Sequence, residues 1–289
     1  MSLLDIVLHE PRSVEETLRL LGELEDVRLV AGGTDLLVDI KQGLIKAKNL
    51  ISLQCVQSLM GIRKEGGMIC VGAMVTPKEI LAENLIHTHF PALSDAARSM
   101  AAEQIRSLAT IGGNIASAVP SADMPPPLIA AGASIILDCG TSRKIELERF
   151  FTGARETACG AGEVLVSVQI PIPPPGTGSS YQKLALREAT ALAVVGVASQ
   201  ITLEDDRIKN ASIVLGAVAP TPVCALQASE LLCGQIPSET VFEESASLAI
   251  QAAKPISDIR GSSWYRERLI PILTRRSLDL AVARARERT

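Results

Sequence analysis

With 289 residues, 47% of them hydrophobic and 21% charged, the chain is long enough to bury one large core or to divide into two or three compact lobes, and this composition excludes disorder as its default state. The net charge is -4, from 32 acidic against 28 basic residues, and aromatics make up 2%. Neither the cation excess nor the stacking surfaces that nucleic-acid binders use is present, so nucleic acid is excluded as a partner.

The N-terminus carries Asp5, His9 and Glu10 where a signal peptide needs a basic patch followed by an apolar stretch. The most apolar segments, Leu128 to Leu137 and Ala191 to Ile201, are broken by Gly or Ser and fall short of the roughly 20 residues of a membrane span. A cytoplasmic location without membrane insertion is expected. Cys55, Cys70, Cys139, Cys159, Cys224 and Cys233 are scattered with no C-x-x-C pair, which argues against a disulfide framework or an iron–sulfur cluster and for reduced thiols that behave mostly as small hydrophobes. His9, His87 and His89 are the only histidines; with no third ligand beside them they read as surface residues, and no metal site is expected.

Along the chain, Ser13-Val14-Glu15-Glu16 has capping-box spacing, and Val14, Leu18 and Leu21 recur at helical intervals, predicting a helix to about Leu24. Val27 to Ala31 reads as a strand entering the turn at Gly32-Gly33, followed by a helical Leu36 to Lys41 and a strand at Asn49 to Leu53. Gly66-Gly67 separates strands near Gly61 to Arg63 and Met68 to Val71. Thr76-Pro77-Lys78-Glu79 is a second capping box, starting a helix to about Asn84, and another helix spans Ala92 to Met100. The segment Glu103 to Ile115 reads as a loop around Gly112-Gly113, and a helix is expected to begin near Leu128 once Pro125-Pro126-Pro127 has passed. Strands follow at Ser134 to Asp138, Lys144 to Leu147 and Glu163 to Ile170.

The proline run Pro171 to Gly176 is the clearest composition break and predicts a domain boundary. Beyond it, strands at Tyr181 to Leu186, Ala193 to Leu203 and Ala211 to Ala217 suggest a meander, with Glu204-Asp205-Asp206 as its polar turn. Helices near Ala225 to Leu232, Glu239 to Ala253 and Trp264 to Arg286 complete the chain, and Trp264 is expected to pack the last helix onto the meander.

Chemistry is concentrated in two glycine turns. Glycine lacks a Cβ and tolerates positive φ, so a Gly-Gly turn lets backbone N–H groups approach an anion closely. Ala31-Gly32-Gly33-Thr34-Asp35 offers successive N–H donors, a hydroxyl and the positive end of the next helix, and Thr110-Ile111-Gly112-Gly113-Asn114 repeats the pattern. No G-x-G-x-x-G opens a helix after a strand, and G-x-x-x-x-G-K-[ST], G-x-S-x-G and H-E-x-x-H are all absent, which removes the Rossmann, P-loop, hydrolase and zincin readings. On physical grounds alone the sequence specifies two anion-cradling turns in an α+β protein.

Leu29-Val30-Ala31-Gly32-Gly33-Thr34-Asp35-Leu36 and Gln104-Ile105-Arg106-Ser107-Leu108-Ala109-Thr110-Ile111-Gly112-Gly113-Asn114-Ile115 together closely resemble the FAD-binding subunits of the xanthine dehydrogenase and carbon monoxide dehydrogenase family. The resemblance extends through Ser121-Ala122-Asp123, Gly162-Glu163-Val164-Leu165, Tyr181-Gln182-Lys183 and Leu215 to Pro222. It implies an α+β fold: a two-lobed FAD-binding domain of the PCMH type over 1–174, with lobes at about 1–55 and 56–174, then a C-terminal domain over 175–289 built from a three-stranded antiparallel sheet and a helical bundle. It further implies that Leu29 to Leu36 and Thr110 to Asn114 contact the FAD pyrophosphate, that Asp123 accepts hydrogen bonds from cofactor hydroxyls, and that Leu165 and Lys183 line the flavin, with Met100 where relatives can carry an aromatic residue.

An ammonium at Lys183 would stabilise the negative charge of a reduced flavin; the alternatives are a solvated strand lysine there and a helix N-cap at Asp123. The implied function is electron transfer within a heterotrimeric molybdenum hydroxylase. A small [2Fe–2S] subunit and a large molybdopterin subunit would be the partners, NAD, a quinone or dioxygen the acceptor, and no side chain of this chain a catalytic nucleophile. A scaffold subunit with weak flavin binding and a stand-alone flavoprotein oxidase are the alternative readings.

Overall fold

The computed structural model describes residues 6–187 and 192–288, so Asp5, Ala191 and the two chain ends invoked above lie outside the described residues. The chain begins with β1 (Val7–His9), α1 (Val14–Glu23), β2 (Val27–Val30), α2 (Leu36–Lys41) and β3 (Asn49–Ser52). The Ser13 side chain accepts the Glu16 N–H at 3.2 Å as its spacing predicts, whereas the Glu16 carboxylate takes the N–H of Arg12 rather than of Ser13. β3 lies between β1 and β2, and both pairings are parallel. Parallel neighbours require crossover connections, which α1 and α2 supply. The glycine turn therefore leaves the carboxyl end of an edge strand.

A second sheet follows. β4 (Ile62–Glu65) and β5 (Met68–Gly72) form a hairpin, and after α3 (Pro77–Ala82), α4 (Asn84–His89), α5 (Pro91–Ser99), α6 (Glu103–Arg106), α7 (Ile111–Ala116) and α8 (Pro125–Ala130) come β6 (Ser134–Asp138), β7 (Ser142–Glu146), the small hairpin β8 (Phe151–Gly153) and β9 (Glu156–Thr157), and β10 (Val164–Pro171). The sheet order is β4-β5-β10-β6-β7, antiparallel throughout. Thr76 and Glu79 form the reciprocal capping box.

Two expectations fail here. Glu103 to Ile115 is no loop, because Ile111 and Ile115 lie one turn apart and are both fully buried, which places Gly112 and Gly113 inside the first turn of α7. The three prolines occupy the first turn of α8 instead of preceding it. A helix's first turn needs no N–H groups and suits the fixed φ of proline.

The third sheet is β11 (Thr177–Ala185), β12 (Ala193–Glu204), β13 (Arg207–Gly216) and the short β14 (Val223–Cys224), antiparallel in that order, followed by α9 (Leu226–Leu232), α10 (Glu239–Ala249) and α11 (Ser263–Arg286). The two-residue β14 is an addition to the expected three-stranded meander. Asp205 and Asp206 take the left-handed conformation, with φ of 49° and 59°, in the turn where they were expected.

α11 seats its backbone directly on the sheet: a Cβ at Gly178 would lie 2.1 Å from the Ala281 carbonyl oxygen. Trp264 does not make this contact. It is 61% exposed and stacks under Arg268, 4.8 Å from the ring centre, while Leu269, Ile270, Leu273 and Leu278 on the buried face of α11 join the sheet's core. Farther along α11, the Arg284 guanidinium grips Asp95 of α5 at 2.6 and 3.0 Å and the Ser179 carbonyl at 2.8 Å, tying the last helix to the second sheet's helical layer. Of the cysteines, Cys70 is buried and Cys159 and Cys224 pack partly buried against the core, while Cys55, Cys139 and Cys233 are exposed, so the small-hydrophobe expectation fits half of them. Among the described residues, no helix is long and apolar enough to cross a membrane.

Candidate cofactor-binding site

The first glycine turn is built for donation. Gly33 has a φ of 70°, which costs a residue with a Cβ roughly 1–2 kcal/mol. At Gly32 the constraint is contact: a Cβ would stand 1.8 Å from the Leu108 carbonyl oxygen. The backbone N–H groups of Ala31 through Leu36 and the Thr34 hydroxyl meet no acceptor among the described residues. They are left for a ligand at the start of α2.

The second turn differs. Thr110 caps α7 by accepting the Gly113 N–H at 3.0 Å, while Ile111 donates to Val75 O at 2.8 Å, Gly112 to Ala73 O at 2.9 Å and Asn114 to Thr110 O at 2.9 Å. The Asn114 bond is the first of the helix's own ladder, and the N–H groups of Ile111, Gly112 and Gly113, which a helix start normally leaves unpaired, are thus satisfied within the protein. The turn can offer an anion its dipole and the side chains of Thr110 and Asn114, and the N–H groups of Ile111, Gly112 and Gly113 only by displacing an existing bond.

Gly32 packs on Leu108 and Ala109, and Gly113 lies 3.8 Å, measured from its Cβ position, from the Ala31 Cβ, so the turns stand side by side. They open onto a cleft of about 810 Å³, within the range of small-molecule and cofactor sites. Of the residues singled out from sequence, Leu29, Ala31 through Leu36, Met100, Thr110, Gly112, Gly113, Asn114, Asp123 and Leu165 line it. Val30, Ile111 and Lys183 do not. Val30 and Ile111 face the hydrophobic cores beneath the turns.

Lys183 is neither solvated nor open to the cleft. Its side chain is 4% exposed, and its ammonium donates to Asp123 Oδ2 at 2.8 Å and to the Ser99 carbonyl at 3.1 Å. Tyr181 donates its hydroxyl to the other Asp123 oxygen at 2.9 Å, in space that Gly196 provides: a Cβ there would lie 2.4 Å from that hydroxyl. Burial pushes the Asp123 carboxyl above the usual carboxylate range, opposed by Lys183 and Tyr181. The phenol of Tyr181 is pushed well above its ordinary value by burial and by the Asp123 charge. Asp123 does not cap α8; Asn114 Oδ1 takes the Met124 N–H at 3.3 Å.

The two sequence halves match two family models: "FAD binding domain in molybdopterin dehydrogenase" over residues 4–173 and "CO dehydrogenase flavoprotein C-terminal domain" over residues 179–281. The chain is 34% identical over 280 residues to the carbon monoxide dehydrogenase medium chain of Afipia carboxidovorans, covering 96% of this chain and 97% of that one. It is 28% identical, with 96% of each chain covered, to the xanthine dehydrogenase FAD-binding subunit of Escherichia coli O157:H7. The solved quinoline 2-oxidoreductase of Pseudomonas putida 86 superposes with a TM-score of 0.93 at 30% identity, over 99% of both chains.

The chain belongs to the FAD-binding medium subunits of the molybdenum hydroxylases. Its cofactor is FAD and its class oxidoreductase. The residues present fit that cofactor: the free N–H groups suit a pyrophosphate, Asp123 keeps acceptor capacity beyond its two bonds, and the Ser121 hydroxyl is buried with no partner among the described residues while its residue lines the cleft. An orphaned buried hydroxyl is costly and is relieved by a ligand that reaches it.

Sequence reasoning missed several parts of this FAD-binding subunit's cleft. Ala101 holds a φ of 40° and forms one wall with Met100. Arg106 fixes that wall by donating Nη1 to the Met100 and Ala101 carbonyls at 2.9 and 3.0 Å, and Lys183 holds Ser99 beside them. Arg155, at the tip of the β8–β9 hairpin, pairs with Asp39 of α2 at 2.6 Å. Ser121 and Arg106 lay inside quoted motifs; the Arg155–Asp39 pair, 116 residues apart, left no sequence signal.

Proposed function

We propose that this subunit carries electrons out of a molybdenum hydroxylase complex, with FAD in the cleft supplying the one- and two-electron chemistry that links [2Fe–2S] clusters of a small partner subunit to NAD or another acceptor. A large molybdopterin subunit would be the site of substrate oxidation. The observation that carries this reading is the cleft, where the unpartnered N–H groups after β2, the orphaned Ser121 hydroxyl and the spare acceptor capacity of Asp123 line a volume of cofactor size.

This chain's own residues bind, orient and exclude water. Cys159 lines the cleft, but burial pushes its thiol above the ordinary value, the reverse of what an activated nucleophile needs. Relatives named for carbon monoxide, xanthine and quinoline act on chemically unlike compounds, which supports substrate recognition outside this chain. The same reading divides the chain into an FAD-binding domain at 1–174, with lobes at about 1–55 and 56–174 that carry the first and second sheets, and a C-terminal domain at 175–289. It places the assembly in the cytoplasm.

The test is to purify the chain with the proteins that accompany it and measure FAD after acid release. Equimolar FAD together with iron–sulfur and molybdopterin chains is expected. A flavin-free complex would point to a scaffold, and substrate turnover by the chain alone to an oxidase; either result overturns the reading.

A further inference from the structure

The cleft lining is unbalanced in charge. Asp35, Asp39, Asp123 and Glu163 contribute carboxyl groups, and among the described residues Arg155 is the only basic side chain that lines it. Two of the acids are answered from outside the lining: Asp123 by Lys183 and Glu163 by Arg143. FAD brings a diphosphate with two negative charges. Backbone N–H groups supply partial charge, but full positive charge within the cleft can come from Arg155 alone among the described residues.

The geometry holds Arg155 ready for this. Its backbone is left-handed, with a φ of 62°, and its N–H is fixed to the Ala118 carbonyl at 2.8 Å. One guanidinium nitrogen, Nη1, donates to Asp39 Oδ2 at 2.6 Å. A guanidinium carries five donors, and the others meet no acceptor among the described residues. Asp39 is 9% exposed at its side chain while Arg155 is 54% exposed, so the carboxylate is the buried anchor and the guanidinium the reaching end. The pair need not break for the fork to meet a second anion.

We propose that Arg155 is the phosphate-facing cation of the FAD cleft, oriented by Asp39 and donating its spare guanidinium N–H groups to the cofactor's diphosphate. The inference rests on the FAD reading above. A plain latch between the β8–β9 hairpin and α2 is the competing role, and the experiment separates the two.

FAD and riboflavin affinities are measured by fluorescence for the full chain, with its co-purifying partners, as wild type, Arg155→Gln, Arg155→Lys and the double variant Asp39→Asn with Arg155→Gln. Riboflavin shares the ring system and lacks the diphosphate. A lost charge-assisted contact predicts FAD affinity lower by roughly ten- to a hundred-fold in Arg155→Gln, riboflavin affinity changed by less than about threefold, partial recovery in Arg155→Lys, and no recovery in the double variant, which removes the stranded carboxylate but not the need for a cation. Equal weakening of both ligands, or recovery in the double variant, would assign Arg155 to the latch and overturn the proposal, as would unchanged FAD affinity. A wild-type protein that retains no FAD would overturn the functional reading itself; FAD retention that Arg155→Gln does not alter would overturn only the role of Arg155.

Discussion

The two glycine turns share the letters Gly-Gly and adjoin the same cleft, yet they solve different problems. After β2 the chain leaves a strand end, passes through the left-handed Gly33 and exposes a series of N–H groups that nothing in the described protein accepts. At α7 the same dipeptide sits inside a helical turn whose N–H groups already bond to Ala73, Val75 and Thr110. The first pair of glycines makes a donor surface. The second pair permits close packing, since a Cβ at Gly112 would lie 2.7 Å from both the Cβ and the carbonyl oxygen of Ala73. A shared dipeptide therefore does not establish a shared role; the fate of the N–H groups distinguishes them.

The most damaging single change should fall where the turns touch. Gly32→Ala places a methyl 1.8 Å from the Leu108 carbonyl oxygen, and no side-chain rotation relieves a clash with backbone. Overpacking of this kind costs typically 1–3 kcal/mol and occasionally more, and about 3 kcal/mol is expected here together with loss of FAD. Thermal melting and FAD content of the purified variant check both. A variant with wild-type melting and full flavin would mean that the turns are not held as close as the geometry requires.

Parts of this division were legible in the sequence and parts were not. Local signals worked where short-range physics decides: Ser13 and Thr76 cap the helices they precede, and Asp205 and Asp206 make the left-handed turn between β12 and β13. The α7 reading failed because Gly112-Gly113 signals a turn locally, whereas the burial of Ile111 and Ile115 is decided by distant packing. The three prolines were misread for a related reason: proline stops a helix from within and starts one from its first turn. At the site, Asp123 and Leu165 line the cleft, but that Lys183 is consumed by Asp123 and Ser99 follows from the fold. Arg155 was invisible, because a pair 116 residues apart has no periodicity or spacing to announce it.

The next contrast is between the second glycines. Gly33→Ala must adopt a φ of 70°, costing roughly 1–2 kcal/mol and shifting the N–H groups that the diphosphate needs, so FAD retention should fall clearly. Gly33→Asn should recover most of it, since Asn tolerates the left-handed region. Gly113→Ala lies in a helix, where alanine is favoured by up to about 1 kcal/mol, and its methyl would crowd the Thr110 hydroxyl at 2.9 Å. The two terms oppose each other, and a stability change below about 1 kcal/mol is expected. Equal loss of FAD from the two alanine variants would dissolve the distinction between a donating and a packing turn.

The smallest effect probes the distinction most directly. Thr110→Ala removes the acceptor for the Gly113 N–H, and loss of an N-cap costs typically about 1 kcal/mol, which Thr110→Ser should restore by keeping the hydroxyl. The consequence for FAD follows from which bonds the second turn makes. If its N–H groups are committed to the protein, the variant melts slightly earlier but its FAD affinity changes less than that of Gly33→Ala. If a cofactor oxygen instead displaces the Thr110 cap on binding, removing the cap frees the Gly113 N–H in advance, and FAD binds more tightly even as the apoprotein loses stability. Opposite movement of affinity and melting temperature, measured on the same preparation, would thus assign donation to both turns; parallel movement, or an affinity that stays put, leaves donation with the turn after β2.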